Sequence, residues 1–269
     1  MRPLKPMQDL NLKLLQTPLL WHDPAGNRAV LEELIRKEAD GSDLLLLPET
    51  FTTGYTMEAA QVAETMDGDT VGWMRRLASE LKVDLCGSII IADDGRHFNR
   101  LIWATADGDL RTYDKRHLFR MGGEHDRYTP GRERIIVRLG DWRICPMVCY
   151  DLRFPVWSRN RGDYDLLLYV ANWPAARLSA WETLLPARAV ENLSYSAGVN
   201  RTGTDGKGIE NGGTSMVCDY LGRHLAIADK DPTTLRATLS LADLQRYREK
   251  FPAWKDADSF ELNLDKAAH

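Results

Sequence analysis

Apolar positions in this chain fall into two recurring patterns, and their alternation predicts the architecture. Short runs with few polar interruptions, at residues 12–17, 43–47, 83–91, 142–148 and 165–170, have the length of β-strands. The run at 43–47, closed by Pro48, has the continuity of a strand covered on both faces. Elsewhere apolar residues recur at helical spacing. Asp23-Pro24 offers an N-cap followed by proline at the first helical position. Val30, Leu31, Leu34 and Ile35 follow, with Glu32, Glu33, Arg36 and Lys37 on the opposite face, and Gly41-Ser42 ends the helix. Residues 71–81 predict a second helix with Trp73, Leu77 and Leu81 as its buried stripe, and 175–191 a third. Asp93-Asp94-Gly95 marks a turn after the strand at 83–91. Asp107-Gly108 joins strands at 100–106 and 110–113, and Gly140-Asp141 joins 135–139 to 142–148. Strands at 195–199, 214–218, 224–228 and 235–240 complete a strand-rich second half. Mixed sheets with helices outside them form one layered α/β domain, here without a linker or repeat.

Composition narrows what such a domain can be. A chain of 269 residues buries about 70% of its surface and needs no disulfide staples. With 43% apolar and 28% charged residues it is neither disordered nor collagenous. A net charge of −4 argues against a nucleic-acid or anionic-membrane partner. No apolar run approaches the roughly 20 residues of a membrane span. The first twenty residues carry Arg2 and Lys5, but Gln8, Asp9, Asn11, Lys13 and Gln16 interrupt their apolar stretch, so neither a leader nor an anchor is expected. Cys86, Cys145, Cys149 and Cys218 read as reduced thiols of a cytoplasmic protein rather than a disulfide framework. No C-x-x-C or H-x-x-x-H word points to a metal.

Three positions carry candidate chemistry because each falls at or just after the end of a predicted strand, where ligand sites in α/β sheets gather. Glu49 follows Leu44-Leu45-Leu46-Leu47-Pro48, Lys115 sits in Tyr113-Asp114-Lys115-Arg116-His117, and Cys149 ends Ile144-Cys145-Pro146-Met147-Val148-Cys149. A carboxylate, an ammonium and a thiol brought together make an acyl-transfer site: the thiolate attacks, the carboxylate moves the proton and the cation offsets the oxyanion. Taken singly, Glu49 is equally a loop acid or helix cap, Lys115 a surface charge and Cys149 a small core residue. Spacing alone does not place them side by side.

The words around these residues do more. Leu-Pro-Glu49-Thr-Phe-Thr-Thr-Gly-Tyr55, Tyr-Asp-Lys115-Arg-His-Leu-Phe and Val-Cys149-Tyr-Asp-Leu-Arg-Phe-Pro155 occur in that order, with Gly123-Glu124-His125, Tyr128-Thr-Pro-Gly131, Ala171-Asn-Trp-Pro174, Ala187-Arg-Ala-Val-Glu-Asn192 and Val199-Asn-Arg201 between and after them. Over about residues 12–260 the chain thus resembles the nitrilase superfamily of carbon–nitrogen hydrolases. The resemblance implies a single domain spanning 1–269, a four-layer αββα sandwich and a homodimer. It also implies a Glu-Lys-Cys triad with no metal or cofactor. Glu49 would be the general base, Cys149 the nucleophile, and Lys115 with the Tyr150 backbone N–H the oxyanion hole. Glu124 would be a second glutamate beside the lysine. His117 and His125 invite a Cys-His reading that the family does not use. Cys145, Cys86 and Cys218 are left as core thiols.

The phrase Cys-Tyr-Asp-Leu-Arg-Phe-Pro resembles the branch holding omega-amidases and deaminated-glutathione amidases. Phe-Thr-Thr-Gly-Tyr, Lys-Arg-His-Leu-Phe-Arg-Met, Asn-Trp-Pro, Gly-Val-Asn-Arg-Thr-Gly-Thr-Asp-Gly and Phe-Pro-Ala-Trp-Lys-Asp-Ala-Asp are most similar to bacterial omega-amidases. The implied substrates are small 2-oxo omega-amides, 2-oxoglutaramate and 2-oxosuccinamate, with water as co-substrate. The alternatives are a deaminated-glutathione amidase or a binding-only relative, although no triad position is replaced. An anionic substrate needs a cation opposite its carboxylate, and guanidinium grips one bidentately. Arg153 is the first candidate and Arg177 the second. Phe51, Tyr55, Met121 and Trp173 are expected as pocket walls. Asp205-Gly206-Lys207-Gly208 is expected to be a Gly-rich, mobile loop, and the sequence does not say whether it closes over the pocket.

Overall fold

The computed structural model describes residues 8–264. Residues 1–7, on which part of the no-leader expectation falls, and the two ends of the expected 1–269 domain lie outside the described residues.

Two six-stranded sheets stack with helices on their outer faces. The first runs in the order β14 (Thr233–Leu239), β1 (Leu10–Gln16), β2 (Leu44–Leu46), β3 (Asp84–Asp93), β4 (Arg96–Ala104) and β5 (Leu110–Asp114). The second runs β13 (His224–Ile227), β12 (Met216–Cys218), β9 (Tyr195–Asn200), β8 (Leu166–Ala171), β7 (Trp142–Val148) and β6 (Val137–Leu139). Strand alternation explains the stacking. Leu10, Leu12, Leu14, Leu44, Leu46, Leu101 and Trp103 of the first sheet join the apolar residues of β7, β8 and β9 in one inner core. Their neighbours Leu15, Leu45, Leu85, Ile89 and Ile102 point the other way. They pack under α1 (Pro24–Glu38) and α3 (Asp69–Leu81) through Leu31, Ile35, Met74 and Leu77. On the far side, α5 (Leu178–Asn192) brings Trp181, Leu185 and Ala189 onto the second sheet. Gly198 lets it approach, since a Cβ there would lie 2.6 Å from both Leu185 and Trp181. Each fully buried Leu contributes about 1.5–3 kcal/mol. These layers are the expected αββα sandwich.

Strand direction places the site. β1, β2 and β3 are mutually parallel, and two antiparallel steps through β4 return β5 to the same direction. The C-terminal ends of β2 and β5 therefore share one edge. In the second sheet β7, β8 and β9 are parallel, so β7 and β8 also end together.

Several boundaries differ from the sequence reading for identifiable reasons. β4 begins at Arg96 rather than residue 100, because Asp94 (φ 48°) and Gly95 (φ 70°) form a two-residue turn that keeps the hairpin paired from Asp93↔Arg96 onward. The third predicted helix opens as a 3-10 turn at Ala175–Arg177 and becomes α-helical at Leu178. Two short helices, α2 (Ala59–Val62) and α4 (Pro155–Ser158), a longer one, α6 (Leu241–Lys250), and the hairpin β10 (Thr202–Thr204) with β11 (Glu210–Gly212) have no counterpart in the sequence reading. That hairpin is where a mobile loop was expected.

Candidate functional site

Each candidate polar side chain follows a strand end. Glu49 lies three residues beyond β2, Lys115 directly after β5, Cys149 directly after β7 and Asn172 directly after β8. Cys149 opens a 3-10 turn, Cys149–Arg153, at φ 45°, a left-handed conformation costly for a side-chain-bearing residue. Thr50, next to Glu49, is held at φ 40°. Both bends turn the chain sharply where a side chain must leave the sheet edge.

Glu49, Lys115 and Glu124 are buried, and their charges meet at one nitrogen. Lys115 Nζ lies 2.9 Å from Glu49 Oε1 and 2.9 and 3.0 Å from the two oxygens of Glu124. Glu124 Oε2 also accepts from the Phe119 N–H at 2.6 Å, which anchors the second carboxylate to its own loop. Glu49 is fixed on both oxygens: Asn99 Nδ2 donates to Oε1 at 2.8 Å and the Asn172 N–H to Oε2 at 2.8 Å. Asn172 Nδ2 in turn donates to the Glu49 carbonyl at 2.6 Å and to Thr50 Oγ1 at 3.0 Å. The Cys149 thiol faces the Glu49 carboxylate, and both line the same cavity.

Electrostatics follow from one buried cation among several acids. Burial pulls the Lys115 ammonium down, but Glu124 and Glu49 outweigh it and hold its pKa well above the ordinary lysine value. Burial pushes Glu124 above the usual carboxylate range, against the pull of Lys115. Burial, then the facing Glu49 charge, drive the Cys149 thiol well above the ordinary thiol value. The sulfur is therefore held as the thiol at neutral pH, facing the Glu49 carboxylate.

These groups open onto a cavity of about 280 Å³. Tyr55, Met121, Trp173, Arg153 and Arg177 line it with Glu49, Lys115 and Cys149. Tyr55 places its ring 5.2 Å from Lys115 Nζ, and its hydroxyl is buried without a partner among the described residues. Met121 is 80% exposed at the mouth. Arg153 lies over the Trp173 ring at 5.1 Å and Arg177 over the Phe119 ring at 5.0 Å. Among the described residues neither guanidinium has a carboxylate partner. Tyr150 also lines the cavity, and it is the second residue of the 3-10 turn, whose first N–H groups have no partner inside the turn. Phe51 is the exception. Its N–H bonds the Ser88 carbonyl and its ring turns outward onto Gly87 and Trp73, in the core beneath α1 and α3. The twist at Thr50 that admits Glu49 to the site sends the next large residue to the opposite face.

The sequence reading missed the residues that hold this geometry. Asp151 is buried and accepts from Tyr113 Oη at 2.7 Å, the His117 N–H at 2.9 Å and the Val148 N–H at 3.1 Å, with His117 Nδ1 at 2.7 Å. It ties the end of β5 to the turn that carries Cys149. His117, stacked on Phe154 at 3.8 Å, is part of this scaffold. Asn99 and Asn172 do the same for Glu49. Asn172 stood inside a quoted word, but a word does not show which atom it holds. Cys86, Cys145 and Cys218 are buried free thiols, pushed up by burial, Cys145 to about 12 and Cys218 to about 11.

Sandwich and site together define the class. Residues 12–249 match the carbon-nitrogen hydrolase family, and the chain belongs to that family, within the nitrilase superfamily; it is a hydrolase of carbon–nitrogen bonds. The particular relatives are as follows. It is 48% identical to omega-amidase YafV of Escherichia coli (strain K12) over 95% of this chain and 100% of that one. It is 31% identical to a 2-oxoglutaramate amidase of Bacillus subtilis (strain 168), covering 91% and 96% of the two chains. Among solved structures, a CN-hydrolase superfamily protein from Xanthomonas campestris with an arsenic adduct in its active site superposes with a TM-score of 0.94 at 50% identity, covering 96% of this chain and 100% of that one.

Proposed function

We propose that this chain is a cysteine-dependent omega-amidase, a single-domain enzyme that hydrolyses the terminal amide of small 2-oxo amides such as 2-oxoglutaramate and 2-oxosuccinamate. One observation carries the substrate reading: Arg153 and Arg177 stand in the wall of the Cys149 cavity with no carboxylate partner among the described residues. Stacked guanidinium groups left unpaired are sites for a substrate carboxylate. The names of the Escherichia coli and Bacillus subtilis relatives support the same class.

The chemistry follows from the proton inventory. Glu49 takes the thiol proton as sulfur attacks the amide carbon. The Lys115 ammonium, held by Glu49 Oε1 and by both oxygens of Glu124, turns an N–H from Glu124 to the oxyanion as it forms, beside the Tyr150 N–H. Glu49 returns its proton to the amide nitrogen, the C–N bond breaks, and ammonia leaves a thioester on Cys149. Water then attacks the thioester carbon while Glu49 takes its proton, and the carboxylate product departs as sulfur is reprotonated. Glu124 keeps Lys115 charged and directed throughout.

The homodimer belongs to this proposal. Val190 lies against the turn at Gly222, and Leu221, Leu225, Ile227 and Phe251 are exposed apolar residues on the same half of the sequence. The buried free thiols suit a reducing, cytoplasmic setting. The test of substrate class measures ammonia release from 2-oxoglutaramate, deaminated glutathione and an aliphatic nitrile side by side. Preference for 2-oxoglutaramate is expected, and equal rates on all three would refute the assignment.

A further inference from the structure

We infer that Lys207 is a specificity-determining residue, the third cation of the subsite that binds the substrate carboxylate, presented over the cavity by a seated hairpin. The inference rests on the omega-amidase reading and extends it to a residue outside the triad and the two arginines.

Three observations carry it. The first is the wall itself: beyond the buried Glu49–Lys115–Glu124 cluster, its charged side chains are Arg153, Arg177 and Lys207 against Asp205 alone. Asp205 turns one oxygen to its own loop, Oδ1 accepting the Lys207 N–H at 2.8 Å and the Ile209 N–H at 2.9 Å, so three cations face one carboxylate. Lys207 is exposed, and no acceptor among the described residues holds its ammonium. A protein with a net charge of −4 thus places a cluster of cations at one opening, which concentrates an anionic substrate there.

The second is that the segment is fixed where it must be to do this. β11 continues into the site, with Pro174 and Asn211 forming a bridge and the Gly212 N–H donating to the Trp173 carbonyl at 3.2 Å. β10 is bridged to Pro18 through Thr202. The third is the seat of the loop tip. A Cβ on Gly206 would lie 2.4 Å from the Trp21 ring, so the backbone rests directly on the indole. The same indole lies under Gly54, where a Cβ would be 3.1 Å away, on the segment between Glu49 and Tyr55. Trp21 therefore joins the lysine-bearing loop to the chain that supplies the acid.

Steady-state kinetics on 2-oxoglutaramate and on propionamide, a neutral amide, test this in the full-length enzyme at low and high salt. For Lys207→Ala, KM for 2-oxoglutaramate should rise about tenfold, a change worth about 1.4 kcal/mol. The loss should fall on KM rather than kcat, and the ratio of kcat/KM for the anionic over the neutral amide should drop with it. The salt dependence of kcat/KM for 2-oxoglutaramate should flatten, and Lys207→Arg should restore most of both. Gly206→Ala, with its lysine intact and folding checked by circular dichroism, should give the same loss by lifting the loop off Trp21. An unchanged ratio in Lys207→Ala, or equal losses on both amides, overturns the inference. If Arg153→Met lowers the ratio while Lys207→Ala does not, the omega-amidase reading stands and the role of Lys207 falls. A wild-type enzyme that does not prefer the anionic amide refutes that reading and the inference with it.

Discussion

At Cys149 burial and then the Glu49 charge hold the thiol pKa well above its ordinary value, and in the proposed mechanism that same carboxylate takes the thiol proton. The two roles of Glu49 are separable. Glu49→Gln removes the negative charge that raises the thiol, so the Cys149 pKa should fall and thiolate should become easier to form. Alkylation by a Michael acceptor should then proceed at least as fast as in the wild type, whereas amide turnover should fall by about 10³, since no group protonates the leaving nitrogen. Slower alkylation in parallel with lost turnover would contradict this division. Lys115→Met should cost about 10²–10³ in rate through the lost oxyanion donor. It should also cost about 3–5 kcal/mol of stability, because two buried carboxylates lose their shared cation. Thermal unfolding of the variant measures the second effect apart from the first. The triad was legible in the sequence because the words around it are specific. Asp151, Asn99 and Phe51 were not, since their roles depend on where a backbone bend aims a side chain.

At the scale of elements, what the sequence reading found was what carries a strong apolar signal. The buried strands and amphipathic α1 and α3 are of that kind. α6 buries only Leu241 and Leu244, too few to set a periodicity, although Ser240-Leu-Ala-Asp243 has the spacing of a capped helix start, and Ser240 does accept from the Asp243 N–H. The β10–β11 hairpin escaped because its strands are three residues each and its glycines read as mobility. α6 is held by Arg248, which donates to Asp165 at the start of β8 at 2.6 Å and to the Tyr164 and Leu193 carbonyls. Burial pushes Asp165 up, but Arg143 and Arg248 outweigh it and leave its pKa below the ordinary value. A carboxylate lowered on folding contributes stability above its unfolded pKa, near 4, and loses it as pH falls through the folded value. Arg248→Met should therefore cost about 2 kcal/mol at pH 6–7. The gap from wild type should narrow below about pH 4. A gap that is constant from pH 7 to pH 3 would show that packing, not charge, holds α6.

Over the whole molecule, convergence of the site is a property of topology. Parallel β1–β3, the double reversal into β5, and parallel β7–β9 bring the ends of β2, β5, β7 and β8 to one cavity, although their residues are far apart in sequence. Linear spacing contains none of this, which is why the residues named themselves before their proximity could be derived. If the exposed apolar residues around Val190 and Leu225 pair two copies, sedimentation should show a dimer, and Leu225→Glu should yield monomer; a monomeric wild type would remove the interface from the account. The most direct test of the central claim is intact-mass analysis of enzyme quenched during turnover of 2-oxoglutaramate. A covalent adduct equal to substrate less ammonia, mapped to Cys149 and missing in Cys149→Ala, is the predicted result. Full turnover by Cys149→Ala, or an acyl group on any other residue, would contradict it.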